Sequence, residues 1–168
     1  MVIVGIDPGI TGALAVLWPD RVDVLDTPTG TRLVGGKTRT VLDPRTMADH
    51  LRLLLGVTAG TGTVHVVLEQ AQPMRKEGRT QGVASTFATG YGFGVWEGVV
   101  ATLGLSWQRV LPQVWKRAFG LLGQPKGASL LEARRRFPAV DLKLAKHHGR
   151  AEALLIALWG AQQQRAVG

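Results

Sequence analysis

Apolar positions come first in short runs and later at helical spacing. Residues 1–7 carry the continuous run Val2-Ile3-Val4-Gly5-Ile6, the pattern of a buried strand. Pro8-Gly9 and Thr11-Gly12 are turn chemistry. Residues 13–18 and 21–27 are two further strands joined by Pro19-Asp20, which gives a three-stranded antiparallel meander. Residues 28–42 are polar and rich in glycine and threonine, and are expected to be loop. Asp43-Pro44 is an N-cap followed by proline at the first helical position. The helix it opens runs to about residue 55, with Met47, Leu51, Leu54 and Leu55 on one side. Residues 56–62 are loop, and residues 63–68 form an apolar strand that ends at Glu69.

Residues 70–81 are polar and basic, hold Pro73 and Gly78, and show no periodicity; a mobile loop is expected. A long helix follows over about 81–103, a short strand over 106–110, and helices over 112–119 and 127–137 with Gly123-Gln124-Pro125 between them. A last helix covers about 146–164. The order βββ-α-β-α-β-α-α-α places the chain in the α/β class. It predicts a mixed five-stranded sheet, three antiparallel strands and then parallel ones, flanked by helices in one domain over 1–168.

The 81–103 helix carries Gly82, Thr86, Gly90, Gly94 and Gly98 at every fourth position, one small-residue stripe. Each glycine costs a helix ~1 kcal/mol relative to alanine. Close approach of another backbone would explain that cost, with the sheet preferred and a partner subunit as the alternative. The apolar stretch 83–105 contains Tyr91 and Glu97, so a buried helix is expected there and no membrane span.

The chain has 168 residues, 45% of them hydrophobic, which suffices for a core. It has no cysteine, which excludes disulfide staples and thiol or cysteine–zinc chemistry. No basic leader precedes the first strand, and a cytoplasmic protein is expected. Net charge is +8. Residues 109–150 hold ten lysines and arginines against Glu132 and Asp141 alone. The remainder of the chain is balanced. Such a basic third is a polyanion footprint or, equally, a solvated helix face.

Candidate chemistry settles on two strand ends. Residues 2–6 and 64–68 are apolar runs, closed by Asp7 and Glu69. A crossover helix between them implies parallel strands, with both acids at one sheet edge. A carboxylate there is costly to bury unless paired or metal-bound. Singly, Asp7 could be a turn former before Pro8-Gly9, and Glu69 a strand-end charge facing water. His148 and Glu152, four apart on the last helix, share a face continued by Leu155 and Trp159. They either reach the site of Asp7 and Glu69, or form a helix-start histidine and a glutamate paired to Arg150 or a nearby basic residue. Three carboxylates and one imidazole suit Mg²⁺ or Mn²⁺. Two such ions ~3.5–4 Å apart, bridged by Asp7, are the arrangement that cleaves phosphodiesters.

Gly5-Ile6-Asp7-Pro8-Gly9 with Thr11-Gly12 resembles the opening of the RuvC-type Holliday-junction resolvases, of the ribonuclease-H-like superfamily. Leu68-Glu69-Gln70 resembles their second acidic motif. The stretches 81–87 (Gln81 to Phe87) and 147–157 (His147 to Ala157) are most similar to phage-encoded and organellar members. The resemblance runs in order over nearly the whole chain. It implies a homodimer that binds a four-way DNA junction and nicks two strands symmetrically, leaving 5′-phosphate and 3′-hydroxyl ends. Carried over by position, the catalytic and metal-binding residues are Asp7, Glu69, His148 and Glu152. Lys116 and Lys126 fall at DNA- or phosphate-contacting lysines. Met74, Arg75, Lys76 and Arg79 fall in the loop that enters the junction centre, with Gln81 and Arg150 counted among the DNA-facing residues. The chain departs from the common bacterial form, which has two aspartates three apart on the last helix. His147 therefore stands beside His148 as a possible ligand. No aromatic residue lies between Glu69 and Gln81, so Met74 or Arg75 would have to serve at the junction.

The expected activity is thus that of a crossover-junction endonuclease using Mg²⁺ or Mn²⁺, with no nucleotide cofactor. Alternatives are a nuclease with wider branched-DNA specificity and a non-catalytic junction-binding protein. A sugar-kinase-like phosphotransferase, motivated by residues 5–12 alone, would need a second lobe for which the chain is too short.

Overall fold

The computed structural model describes residues 1–58, 63–72, 75–76, 79–80, 82–125 and 127–167. In chain order the elements are β1 (Val2–Asp7), β2 (Ala13–Leu17), β3 (Val22–Asp26), β4 (Thr29–Val34), β5 (Lys37–Leu42), α1 (Pro44–Thr58) and β6 (Val64–Glu69). Then come β7 (Arg75–Lys76), β8 (Arg79–Thr80), α2 (Val83–Thr102), β9 (Ser106–Val110), α3 (Pro112–Ala118), α4 (Ala128–Arg136) and α5 (His148–Val167). A single 3-10 turn, Ala145–His147, leads into α5.

The main sheet has the order β3-β2-β1-β6-β9. β1 pairs antiparallel with β2 and parallel with β6, and β6 pairs parallel with β9. This is the mixed five-stranded sheet that the apolar runs predict. Alternate residues divide its two faces. Val2, Val4, Ile6, Val66 and Leu68 pack toward Met47 and Leu51 of α1 and Trp96 and Val100 of α2. Ile3 and Val67 face the other way, toward Trp115 of α3, Leu130 of α4 and the apolar face of α5. Asp43 caps α1 as its position suggests, accepting from the Thr46 backbone N–H at 3.1 Å and the Thr46 hydroxyl at 2.6 Å.

Four expectations need correction. Residues 28–42 are no loop: β4 and β5 form a hairpin of their own, with Val34 opposite Lys37. Gly35 and Gly36 take φ of +56° and +74°, the two left-handed residues of a tight two-residue hairpin turn. The Gly/Thr content suggested loop, yet β-branched threonine is a strand residue. Within 70–81, β7 and β8 pair, Arg75 with Thr80 and Lys76 with Arg79.

The glycine stripe does not lie on the sheet. A Cβ placed at Gly82, Gly90, Gly94 or Gly98 would meet nothing within 4 Å. The packed line of α2 is Gly92, Trp96 and Val100, two residues out of phase and so about 200° round the helix. Gly92 is the glycine of α2 that requires its lack of a side chain, since a Cβ there would sit 2.6 Å from the Pro8 carbonyl oxygen. Nor is α2 buried along its length: Val83 is 88% and Phe87 74% exposed. No helix among the described residues is long and apolar enough to cross a membrane.

Candidate active site

Ile6 and Leu68 are register partners on the parallel strands β1 and β6. Asp7 and Glu69, the next residue of each, therefore end neighbouring strands side by side. By the same alternation they share a face with Ile3, Gly5 and Val67, the face that α5 covers.

Small residues let α5 lie hard on that face. A Cβ at Gly5 would overlap backbone atoms of Ala153 and Ala157. One at Gly149 would overlap the Thr11 carbonyl, and one at Gly160 would crowd the Val67 side chain. Gly12 is equally tight against the Asp7 carbonyl. These contacts pin the first turns of α5 to the turn after β1 and bring His148 and Glu152 to the sheet edge that holds Asp7 and Glu69.

The polar groups fall into three sets of contacts, the largest centred on Glu152. His148 Nε2 lies 3.3 Å from Glu152 Oε1, and Lys116 Nζ lies 3.0 Å from the same oxygen. The Ser129 hydroxyl donates to it at 3.3 Å. The Trp115 indole N–H donates to Glu69 Oε2 at 2.6 Å, and the Gly9 N–H reaches Asp7 Oδ1 at 3.4 Å. A cavity of about 470 Å³ is lined by Asp7, Thr11, Leu130, Lys146, His148 and Gly149 among others. A second, of about 190 Å³, is lined by Lys116, Gln124, Pro125, Ser129, His148 and Glu152 among others. His148 borders both.

Burial dominates the electrostatics of the cluster, with Lys116 as its nearest cation. Burial pushes Asp7 up to about 6, with the Glu152 charge adding to it and the Gly9 N–H, His148 and Lys116 opposing. Burial pushes Glu69 up to about 8, reinforced by Asp7 and Glu152 and opposed by Trp115 and Lys116. Burial also disfavours charge on Glu152, but the His148 hydrogen bond and the Lys116 ammonium outweigh it and hold that carboxyl below its ordinary value. Carboxylates whose environments push their pKa values apart are a mark of functional sites.

The four expected ligands thus share one sheet edge, and Lys116 joins them. Among the described residues, however, no three His, Asp or Glu side chains close into a finished metal cage. Glu152 is turned to Lys116 and Ser129, and Glu69 to Trp115. His147 is buried, with Nδ1 unpartnered among the described residues, whereas His148 contacts Glu152. Arg150 does not pair with Glu152; it forks onto Asp26 at the end of β3, at 2.6 and 2.7 Å. Arg75, Lys76 and Arg79 fall on the β7–β8 hairpin. Met74, Gln81 and Lys126 lie outside the described residues.

Sequence reasoning missed Trp115 and Ser129. Each sits in a short helix where a tryptophan or serine has an ordinary packing use, and only the fold shows which carboxylate it faces.

No protein-family model matches the chain. Among solved structures, RuvC of Thermus thermophilus in complex with a Holliday-junction substrate superposes with a TM-score of 0.58 and 21% sequence identity, covering 99% of this chain and 96% of that one. A further Thermus thermophilus RuvC structure gives a TM-score of 0.55 and 20% identity over the same shares. The fold is that of RuvC. Among curated proteins, the chloroplastic Holliday junction resolvase MOC1 of Chlamydomonas reinhardtii is 41% identical over 80 residues, or 45% of this chain. That match spans 9% of the relative's length. In this RuvC fold, α3, α4 and α5 meet near the sheet edge where β1 and β6 end, with Trp115 of α3 on Glu69 and Ser129 of α4 on Glu152 of α5.

Proposed function

We propose that this protein is a structure-specific endonuclease that resolves Holliday junctions, nicking two strands symmetrically as a homodimer with Mg²⁺ or Mn²⁺. The observation that carries the reading is the packing of Glu152 and His148 against two strand-end carboxylates, Asp7 and Glu69, that are costly to hold charged without a cation. The junction-resolving relative and the RuvC structure solved with a junction supply the substrate class. The donor set, three carboxylates and one imidazole, fits hard divalent ions. Two such ions, when bound, would activate a water for attack on the phosphorus and neutralise the leaving oxygen.

The chain's own residues provide the frame. Asp7, at the end of the central strand, would hold a cation beside Glu69. Trp115 holds one oxygen of Glu69 in place. Lys116, with its ammonium at the cavity wall, is positioned to take a non-bridging phosphate oxygen. The open glycine face of α2 is a surface that a second copy could cover closely. A non-catalytic junction binder is favoured only by the lack of a finished cage. Retention of two strained carboxylates in a DNA-facing cleft argues against it, since unneutralised acids weaken DNA binding.

The deciding experiment incubates the purified protein with a labelled four-way junction, first without metal and then with Mg²⁺ or Mn²⁺. Symmetric nicking only after metal addition is expected; an intact junction in both cations overturns the reading. Sedimentation at micromolar concentration reports the dimer.

Trp115→Phe keeps the ring and removes the donor. It is expected to weaken Mn²⁺ binding by about 10–100-fold, the usual cost of losing a group that orients a metal ligand. Raising the Mn²⁺ concentration should largely restore the saturated rate. Calorimetric titration with Mn²⁺ reads the first effect directly.

The raised carboxyls set a pH dependence of stability. Between the ordinary values of 3.8 and 4.5 and the folded values of about 6 and 8, the folded state holds protons that the unfolded chain has released. Above the ordinary carboxyl range, where Asp26, Asp43, Glu132 and Glu152 no longer titrate in either state, stability without divalent cations should therefore fall as pH rises to about 8 and level off above. Mn²⁺ should raise the Tm more at pH 8 than at pH 5, because protonated carboxyls do not bind it. Thermal melts across this range with and without Mn²⁺ check both signs.

A further inference from the structure

The β4–β5 hairpin stands apart from the main sheet and contributes almost nothing to the core. All of β4 is exposed, as are the first four residues of β5; only Leu42, at the base, is fully buried. Its charges are nonetheless ordered. Arg32 is directly opposite Arg39, and Val34 opposite Lys37. By the two-residue alternation of strands, Arg32, Lys37 and Arg39 therefore share one face, while Thr29, Thr31, Leu33, Thr38 and Thr40 occupy the other.

No acidic residue occurs between 29 and 42. None of the three cations joins an ion pair among the described residues, whereas Arg21, Arg52, Arg109, Arg135 and Arg150 each pair with an acid. Like charges directly opposite on a ribbon are destabilising. Three cations on one face with no counter-charge are a fold liability that an external polyanion would relieve.

The ribbon is rooted beside the catalytic mouth. The Thr27 N–H bonds the Gly12 carbonyl, and the Asp43 N–H bonds the Pro28 carbonyl, both at 3.0 Å. Leu42 and the Pro8 carbonyl both border Gly92. At ~3.3 Å per residue a six-residue strand reaches roughly 20 Å, the length of about six base pairs at ~3.4 Å each.

We propose that the β4–β5 ribbon is a DNA-binding arm whose Arg32, Lys37 and Arg39 face grips the phosphate backbone of a duplex arm leading away from the cleaved bonds. The identity of the polyanion rests on the nuclease reading above; the cationic face does not. The test compares the wild type, the triple variant Arg32→Gln/Lys37→Gln/Arg39→Gln, and the opposite-face variant Thr31→Gln/Thr40→Gln. Dissociation constants for a four-way junction and for linear duplex are measured without divalent metal over a salt series.

The triple variant should bind at least about tenfold more weakly at low salt, with the slope of log K against log salt shallower by about 2–3, the value for losing three phosphate contacts. The opposite-face variant should bind as wild type does, and the triple variant should melt no lower than wild type, since the Arg32–Arg39 repulsion is gone. An unchanged slope, or an equal loss in the opposite-face variant, overturns the arm. Should the wild type neither prefer nor cut the junction, the function above fails, and the slope on linear duplex still decides the arm.

Discussion

Asp7→Asn is expected to lower junction cleavage at saturating protein and metal by at least about a thousandfold, or about 4 kcal/mol of barrier, while junction binding is kept or tightened. Asp7 ends the central strand of the sheet, with Glu69 beside it on β6 and α5 laid across the same face. The amide keeps the shape and the contact from the Gly9 N–H, but it is a poor metal ligand and carries no charge to attract a divalent cation. Burial is the main cause that raises the Asp7 and Glu69 carboxyls; loss of the Asp7 charge removes both the cost of burying it and its repulsion with Glu152 and Glu69. The variant should accordingly be more stable than wild type in metal-free buffer at pH 8. Single-turnover cleavage and metal-free gel shift read the two halves separately. Cutting at the wild-type rate in either cation would remove Asp7 from the chemistry and end the site assignment.

Gly5→Ala, a change of one methyl group, is expected to cost about 3 kcal/mol or more, a fall in Tm of roughly 6–12 °C. The added Cβ would overlap the backbone of Ala153 and Ala157, which cannot rotate away as a side chain can. Relief requires α5 to lift from β1. That motion carries His148 and Glu152 away from Asp7 and Glu69, so cleavage should drop by about a hundredfold even where the variant stays folded, since misplacement by about 1 Å is enough. Gly56→Ala, on α1 rather than on the α2 face that a second copy would cover, is the control. A Cβ there meets nothing within 4 Å, and the helix should gain about 1 kcal/mol. Thermal melts of the two variants should move in opposite directions. A Gly5→Ala protein that melts and cleaves as wild type would show that α5 does not need this contact.

Much of the architecture was legible in the residues because its signals are local. Continuous apolar runs ending in Asp7 and Glu69, the Asp43-Pro44 start, and the helix-spaced apolar sets depend on neighbours within a few positions. They define five main strands, their mixed pairing and the helices that cover them. The order of four motifs along the chain pointed to the same fold that the superposition on RuvC gives. Where composition stood in for pattern, the reading failed. Glycine and threonine in 28–42 suggested a loop, although Gly35-Gly36 is the turn of a hairpin and the threonines alternate along its strands.

What the chain could not declare was which faces meet. The glycine stripe of α2 is plain in the sequence, yet the face that packs is the line of Gly92, Trp96 and Val100, chosen by the position of Pro8 after β1. Arg150 is two residues from Glu152 in sequence, yet it binds Asp26, because β3 ends beside the first turn of α5. The partners of the carboxylates, Trp115 for Glu69 and Ser129 and Lys116 for Glu152, come from separate helices. Periodicity fixes the direction of a side chain relative to its own element; the neighbour it finds depends on how elements far apart in the chain pack. By itself the sequence determined the elements, the alternation that puts Asp7 and Glu69 on one face, and the candidate donors. Only the tertiary structure decided that α5 lies close enough to bring His148 and Glu152 to that sheet edge, because that approach depends on Gly5, Gly149 and Gly160 meeting their counterparts across the fold.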